Sequence, residues 1–160
     1  MSIKINGFSE LNKIWTSDIE KFRKEFKPIL ISSYTDSIYL TDKDIVKGRR
    51  LLFILETINN ILPKDMYCKV GSGKRTLGIN AKLKGSSRTS QHLFWEALDL
   101  HFYDLQGRIT SKTRLRPIFE LIISTLGDEI QQGLLYTTFI HIGLSTSRTR
   151  VSLRRNINYG

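Results

Sequence analysis

Three histidines are present in the 160-residue chain, and two of them, His92 and His141, fall with Asp99 where patterning keeps them off the apolar core. Residues 96 to 103 alternate: Ala97, Asp99, His101 and Tyr103 point one way, and Leu98, Leu100 and Phe102 the other. In residues 139 to 145, Ile140, Ile142 and Leu144 face the core and Phe139, His141 and Gly143 the opposite side. His92 stands in the loop that leads into the first of these strands. Two imidazoles and a carboxylate suit a zinc ion that cleaves an amide, which takes about three protein ligands and leaves a fourth position to water. Three histidines and fifteen acids offer many such triples, so spacing alone does not select this one. His101 shares the face of Asp99, either to orient a ligand or as a partly exposed strand residue.

The elements that must position these groups follow from local signals. Ser17 and Glu20 have capping-box spacing ahead of Ile19, Phe22 and Phe26, which predicts a helix over 17–27. A second helix is expected after Thr41, running to Leu62 on the face Ile45, Leu52, Leu55, Ile58 and Leu62, and stopped by Pro63. Residues 29–40 show no clear period and read as mostly irregular. A short strand over 66–70, a turn at GSGKRT (71–76), a short helix near 77–83 and a loop at 85–87 follow. After the strand at 96–103, Gln106-Gly107 turns the chain into a helix over 112–126. Its face is Leu115, Ile118, Phe119, Ile122 and Leu126, with Pro117 in its first turn and Gly127 at its end. Strands are expected at 133–137, 139–145 and 149–153. Helices first and antiparallel strands later predict an α+β domain.

Composition bounds the rest. The length suits a single domain with a core of its own. The lone Cys68 excludes an internal disulfide and a cysteine zinc cluster. The N-terminus lacks the basic-then-apolar order of a secretory signal and no apolar run approaches membrane-spanning length, so the chain is expected to be made in the cytoplasm without a membrane span. A net charge of +10 favours a polyanion, either a cell-wall polymer or nucleic acid. Arg148, Arg150, Arg154 and Arg155 gather near the C-terminus as a basic strand edge or tail.

The stretch SSRTSQHLFWEALDL, residues 86 to 100, resembles the metal-binding signature of the zinc D-alanyl-D-alanine carboxypeptidase and L-alanyl-D-glutamate endopeptidase family. That signature has Ser-x-His followed by Ala-x-Asp, matched here by Ser90, His92, Ala97 and Asp99. GSGKRT resembles the family's Ser-Gly-Tyr-Arg turn, with Arg75 as its arginine, and FIHIGL (139–144) the strand carrying the last zinc histidine, His141. The resemblance spans roughly residues 45 to 145. It implies a hedgehog/DD-peptidase-like α+β fold with a small antiparallel sheet holding Zn2+ on His92, Asp99 and His141. It also implies that Arg75 anchors a substrate carboxylate or carbonyl, and that the substrates are peptidoglycan peptides, met after release from the cell or from a virus particle. Ser90 then orients substrate or ligand, or bonds only to backbone. Residues 1–160 read as one peptidase-like domain, with 1–40 as an N-terminal helical extension and 146–160 as a basic C-terminal segment.

Two positions depart from the pattern. Many family members have an acid three residues before the last zinc histidine, acting as general base, where this chain has Thr138. Asp128 and Glu129 are the nearest upstream acids, and Glu96 points away from Asp99 by strand alternation. Trp95 stands where the signature has glycine, either narrowing the cleft or packing in the core. These departures leave three readings: a phage-type lytic peptidase, a degenerate relative serving as a structural or binding component among virion proteins, or a nucleic-acid-binding protein suggested by charge alone.

Overall fold

The computed structural model describes residues 2–5, 24–29, 38–75, 77–84, 90–146 and 154–156. Strand β1 (Ser2–Ile5) pairs antiparallel with β2 (Ile38–Thr41), Ser2 opposite Thr41, in a two-stranded ribbon. Residues 38–40, expected within a mostly irregular 29–40, are thus strand, and the N-terminal extension expected as helical also contains β1, because the pairing joins segments distant in sequence, which local periodicity cannot reveal; residues 30–37 lie outside the described residues. Residues 24–26 are helical and Lys27–Ile29 form a single 3-10 turn. The rest of the expected helix over 17–27 lies outside the described residues.

Helix α1 (Asp42–Ile61) begins at a capping box in which the Thr41 hydroxyl accepts from Asp44 N and Asp44 accepts from Thr41 N. It ends before Pro63, as expected, but its buried face is Ile45, Gly48, Leu51, Ile54 and Ile58. Leu52, Leu55 and Leu62, assigned to that face from sequence, are only partly buried at its margin. The helix is rotated because Gly48 lets the Phe26 ring come close; a Cβ there would lie 2.9 Å from Phe26 Cε1.

The main sheet has the order β3-β4-β6-β5, all antiparallel, with β7 parallel to β5 at the edge. Its strands are β3 (Met66–Ser72), β4 (Ala97–Asp104), β5 (Ile130–Leu135), β6 (Phe139–Leu144) and β7 (Arg154–Asn156). β5 begins earlier than the expected 133–137 and leaves Tyr136 and Thr137 in the turn. β7 puts Arg154 and Arg155 on a strand edge, whereas Arg148, Arg150 and residues 147–153 lie outside the described residues, as does the loop at 85–87. Between β3 and β4 sits a short helix, α2 (Leu77–Lys82).

Helix α3 (Lys112–Leu126) starts at Ser111, whose hydroxyl accepts from Arg114 N, and ends at Gly127, φ 51°. All five apolar positions expected on its inner face are buried, with Ile123 beside them. Pro117 falls in the second turn rather than the first, so the bond its missing N–H would make to Thr113 is forgone. Together α1 and α3 cover one face of the sheet. Leu98, Leu100, Phe102, Ile140, Ile142 and Leu144 are buried there and leave the opposite face to the polar members of the same strands. Cys68 belongs to this core; burial pushes its thiol up to about 12, against a hydrogen bond to Asn59, so it stays protonated and inert. The molecule is thus α+β, and none of its described helices is long and apolar enough to cross a membrane.

Candidate metal centre

Three pieces of backbone bring the chemistry together. Asp99 on β4 and His141 on β6 are directly opposed across the ladder, and His141 Nδ1 lies 2.8 Å from Asp99 Oδ1. The third piece is a single 3-10 turn, Gln91–Phe94, which carries His92. The Ser90 hydroxyl caps this turn by accepting from His92 N at 3.3 Å. The turn sits on β6 because Gly143 has no side chain: a Cβ there would come within 2.0 Å of Gln91 Oε1. Gln91 instead donates to the Leu144 carbonyl at 3.3 Å.

His92 is 2% exposed and its Nε2 faces Asp99 Oδ2 at 3.3 Å. Its other nitrogen, Nδ1, lies 2.8 Å from the Gly73 carbonyl oxygen. A carbonyl only accepts, so Nδ1 carries the proton and donates. In the neutral ring Nε2 then turns a lone pair toward a carboxylate oxygen, an opposition that a shared cation relieves. Burial pushes the His92 imidazole below its ordinary value, against the pull of Asp99, which favours that neutral ring. For Asp99, burial pushes the carboxyl up, but the hydrogen bond it accepts from His141 Nδ1, with the bond and charge that His92 supplies only when its ring is protonated, outweighs it and holds it well below the usual carboxylate range. The carboxylate is therefore ionised and ready to ligate.

The geometry fits a metal ion. One ligand atom from each of His92, Asp99 and His141 can be chosen so that all lie within 4.8 Å of one another. Donors about 2.0–2.1 Å from one tetrahedral ion stand roughly 3.3 Å apart. The Nε2 to Oδ2 separation matches that edge. A Gly73 carbonyl fixing the tautomer of His92 is also the arrangement that orients metal-ligating histidines. The cluster could thus hold a metal ion.

Arg75 reaches the same carboxylate, with its terminal nitrogen 3.1 Å from Asp99 Oδ2 and Nε donating to Ser72 Oγ at 3.0 Å. Its backbone N–H donates to the His92 carbonyl at 2.9 Å, which ties the GSGKRT turn to the ligand-bearing turn. The remaining positions divide clearly. Ser90 accepts from the backbone N–H of His92. Thr138 is exposed in the turn between β5 and β6. Glu96 is fully buried away from the cluster and pairs with Lys47 of α1 at 2.8 Å. Asp128 and Glu129 lie in a 3-10 turn after α3, where Glu129 meets Arg50 at 3.5 Å.

Trp95 is a core residue, 1% exposed and 5.7 Å from the Phe26 ring. Its backbone nevertheless keeps the left-handed conformation, φ 59° and ψ 39°, that a glycine would adopt without strain. The carbonyls that end the 3-10 turn are held by ammonium groups, Phe94 O by Lys47 at 3.2 Å and Leu93 O by Lys74, whose Nζ also lies 5.8 Å from the Trp95 ring centre. Sequence reasoning missed these two lysines and the Gly73 carbonyl. Gly73 sat within the GSGKRT turn already singled out, whereas no local signal marks Lys47. In comparisons with known proteins, no family model matches the chain and no curated protein matches it.

Proposed function

We propose that the chain is a zinc-dependent peptidase acting on peptide bonds in peptidoglycan stem or cross-link peptides, in a hedgehog/DD-peptidase-like fold. The observation that carries this reading is the opposition of His92 Nε2 and Asp99 Oδ2 at 3.3 Å, with His141 on the other carboxylate oxygen. Two imidazoles and one carboxylate without a thiolate suit zinc of the open, catalytic kind. The match of Ser90, His92, Ala97 and Asp99 to the peptidase signature supports a peptide substrate. His92, Asp99 and His141 would hold the zinc ion, which would supply Lewis acidity toward a water and a scissile carbonyl.

The chain's own groups do the rest. The Gly73 carbonyl holds His92 in the tautomer that leaves Nε2 free to ligate. Asp99 stays ionised in a water-poor setting and keeps His141 oriented. Arg75 has two of its five N–H donors committed to Asp99 and Ser72, and the others suit a substrate carboxylate or carbonyl.

A second reading has its own observation: Thr138 is exposed, and among the described residues the cluster holds no acid besides Asp99 to take a proton. That favours a degenerate relative that binds metal and serves as a structural or binding component, for instance of a virus particle. Elemental analysis of tag-free protein tests both, with His92→Ala as control. Near-stoichiometric zinc that the variant loses, followed by cleavage of peptidoglycan fragments seen by mass spectrometry, is the expected result. Zinc without cleavage selects the second reading, and absence of zinc after reconstitution overturns the metal site.

A further inference from the structure

Among the described residues the cluster is covered on one side and runs into an aromatic band on the other. Toward the start of β4, Gln91 lies over Gly143 and the 3-10 turn covers the sheet. In the opposite direction the same face continues as a band of half-buried aromatic rings across three strands, β3, β4 and β6, and the β5–β6 turn. His101 lies 5.5 Å from Phe139, and Phe139 stacks on Tyr136 at 4.4 Å and 10°. Tyr67 stacks on Tyr103 at 5.5 Å and 23°. A ligand that reaches the cluster along the sheet has to cross this band.

The stacking decides what the band can hold. Stacking takes one face of each ring in the Tyr67–Tyr103 and Tyr136–Phe139 pairs, and the ring edges and tyrosine hydroxyls stand ready for a ligand. Ring edges are the positive end of the aromatic quadrupole and favour carbonyl and carboxylate oxygens. One full positive charge stands at the rim: Lys69 of β3 is exposed, is paired in register with His101, and lies 5.7 Å from the Tyr67 ring centre. Among the described residues no carboxylate is recorded against it. Gly71 follows two residues on, and the His101 ring fills the place of its missing side chain, since a Cβ would lie 2.2 Å from His101 Cδ2. No β3 side chain therefore stands at Gly71, between Lys69 and the cluster.

We infer that Lys69, backed by Tyr67 and Tyr103, binds a carboxylate of an extended peptide that lies across the aromatic band with its scissile bond at the cluster. This rests on the peptidase reading. Asp99 and His101 are two residues apart, roughly 6.6–6.8 Å along the strand, and the Lys69 side chain reaches further toward Tyr67. The carboxylate it takes thus lies about two or three peptide residues from the bond at the cluster, at roughly 3.3 Å per residue. Arg75 serves the cluster end of the same path, so the two cations fix the register of the peptide.

The test measures binding, which does not require turnover. Zinc-loaded protein is titrated with a fluorescein-labelled stem tetrapeptide bearing a free glutamyl carboxylate, and with the same peptide as its carboxamide. Wild type is expected to prefer the carboxylate by roughly tenfold, about the worth of one charge-assisted hydrogen bond. Lys69→Met is expected to bind both alike, while Lys64→Met, which removes an exposed lysine just before β3, keeps the preference. A preference that survives Lys69→Met, equal binding of both peptides by wild type, or tighter Lys69-dependent binding of single-stranded DNA overturns the inference. Selective binding without cleavage would count against the peptidase reading alone and leave the Lys69 site standing.

Discussion

Replacing Trp95 separates what its side chain contributes from what its backbone costs. The ring is buried against Phe26, and its Nε1 has no hydrogen-bond partner among the described residues. Truncating a buried tryptophan costs about 3–5 kcal/mol, and the unpartnered N–H moves the expected loss for Trp95→Ala toward the lower end. The backbone acts in the opposite direction. Holding an L residue in the left-handed region costs roughly 1–2 kcal/mol, and at φ 59° Trp95 is the one such non-glycine residue among those described. Glycine escapes that cost but adds about 0.4–1 kcal/mol of unfolded-chain entropy. Trp95→Gly is therefore expected to be more stable than Trp95→Ala by roughly 0.5–1 kcal/mol, whereas in an ordinary helix or strand alanine wins by a similar amount. Urea titration of the zinc-free proteins, with equal slopes, reads this difference directly. Trp95→Ala equal to or more stable than Trp95→Gly would show that the left-handed turn behind His92 is not held against strain.

Two further perturbations probe the same neighbourhood. His92 and Asp99 both have folded values below their ordinary 6.5 and 3.8, so in each window the unfolded chain takes up protons first. Stability of the metal-free protein should therefore fall with pH, the His92 share below about 6.5 and the Asp99 share only below about 3.8; a urea midpoint that stays flat or rises from about pH 7 to about pH 5, or declines equally in His92→Asn, contradicts this. Lys47→Met removes the ammonium paired with the fully buried Glu96 carboxylate and is expected to cost about 3–5 kcal/mol, whereas Lys47→Met with Glu96→Leu costs clearly less. Thermal denaturation in which the double variant is as weak as the single one would remove the ion pair as the strut beneath the ligand-bearing turn.

Much of the architecture is a local matter. Thr41 and Pro63 bound α1, Ser111 and Gly127 bound α3, and strict alternation marks β4, because caps, proline and side-chain period act over a few residues. The same alternation put Asp99 and His141 on the uncovered sides of their strands, and the segment around His92 singled out the third member. Ambiguity remained where two apolar registers compete, as on α1, whose buried face turned toward Ile54 and Leu51 only once Phe26 packed on Gly48.

The sequence by itself thus determined which residues have ligand chemistry and which secondary elements carry them. Only the tertiary structure decided that Asp99 and His141 lie opposite in register, that a Gly73 carbonyl selects the His92 tautomer, and that Arg75 reaches the same carboxylate. It also decided that β1 pairs with β2 and that Thr138 stays out in a turn. The reason is physical: spacing fixes the face a side chain occupies, but contacts between segments tens of residues apart depend on which long-range pairings repay the entropy of closing the loops between them.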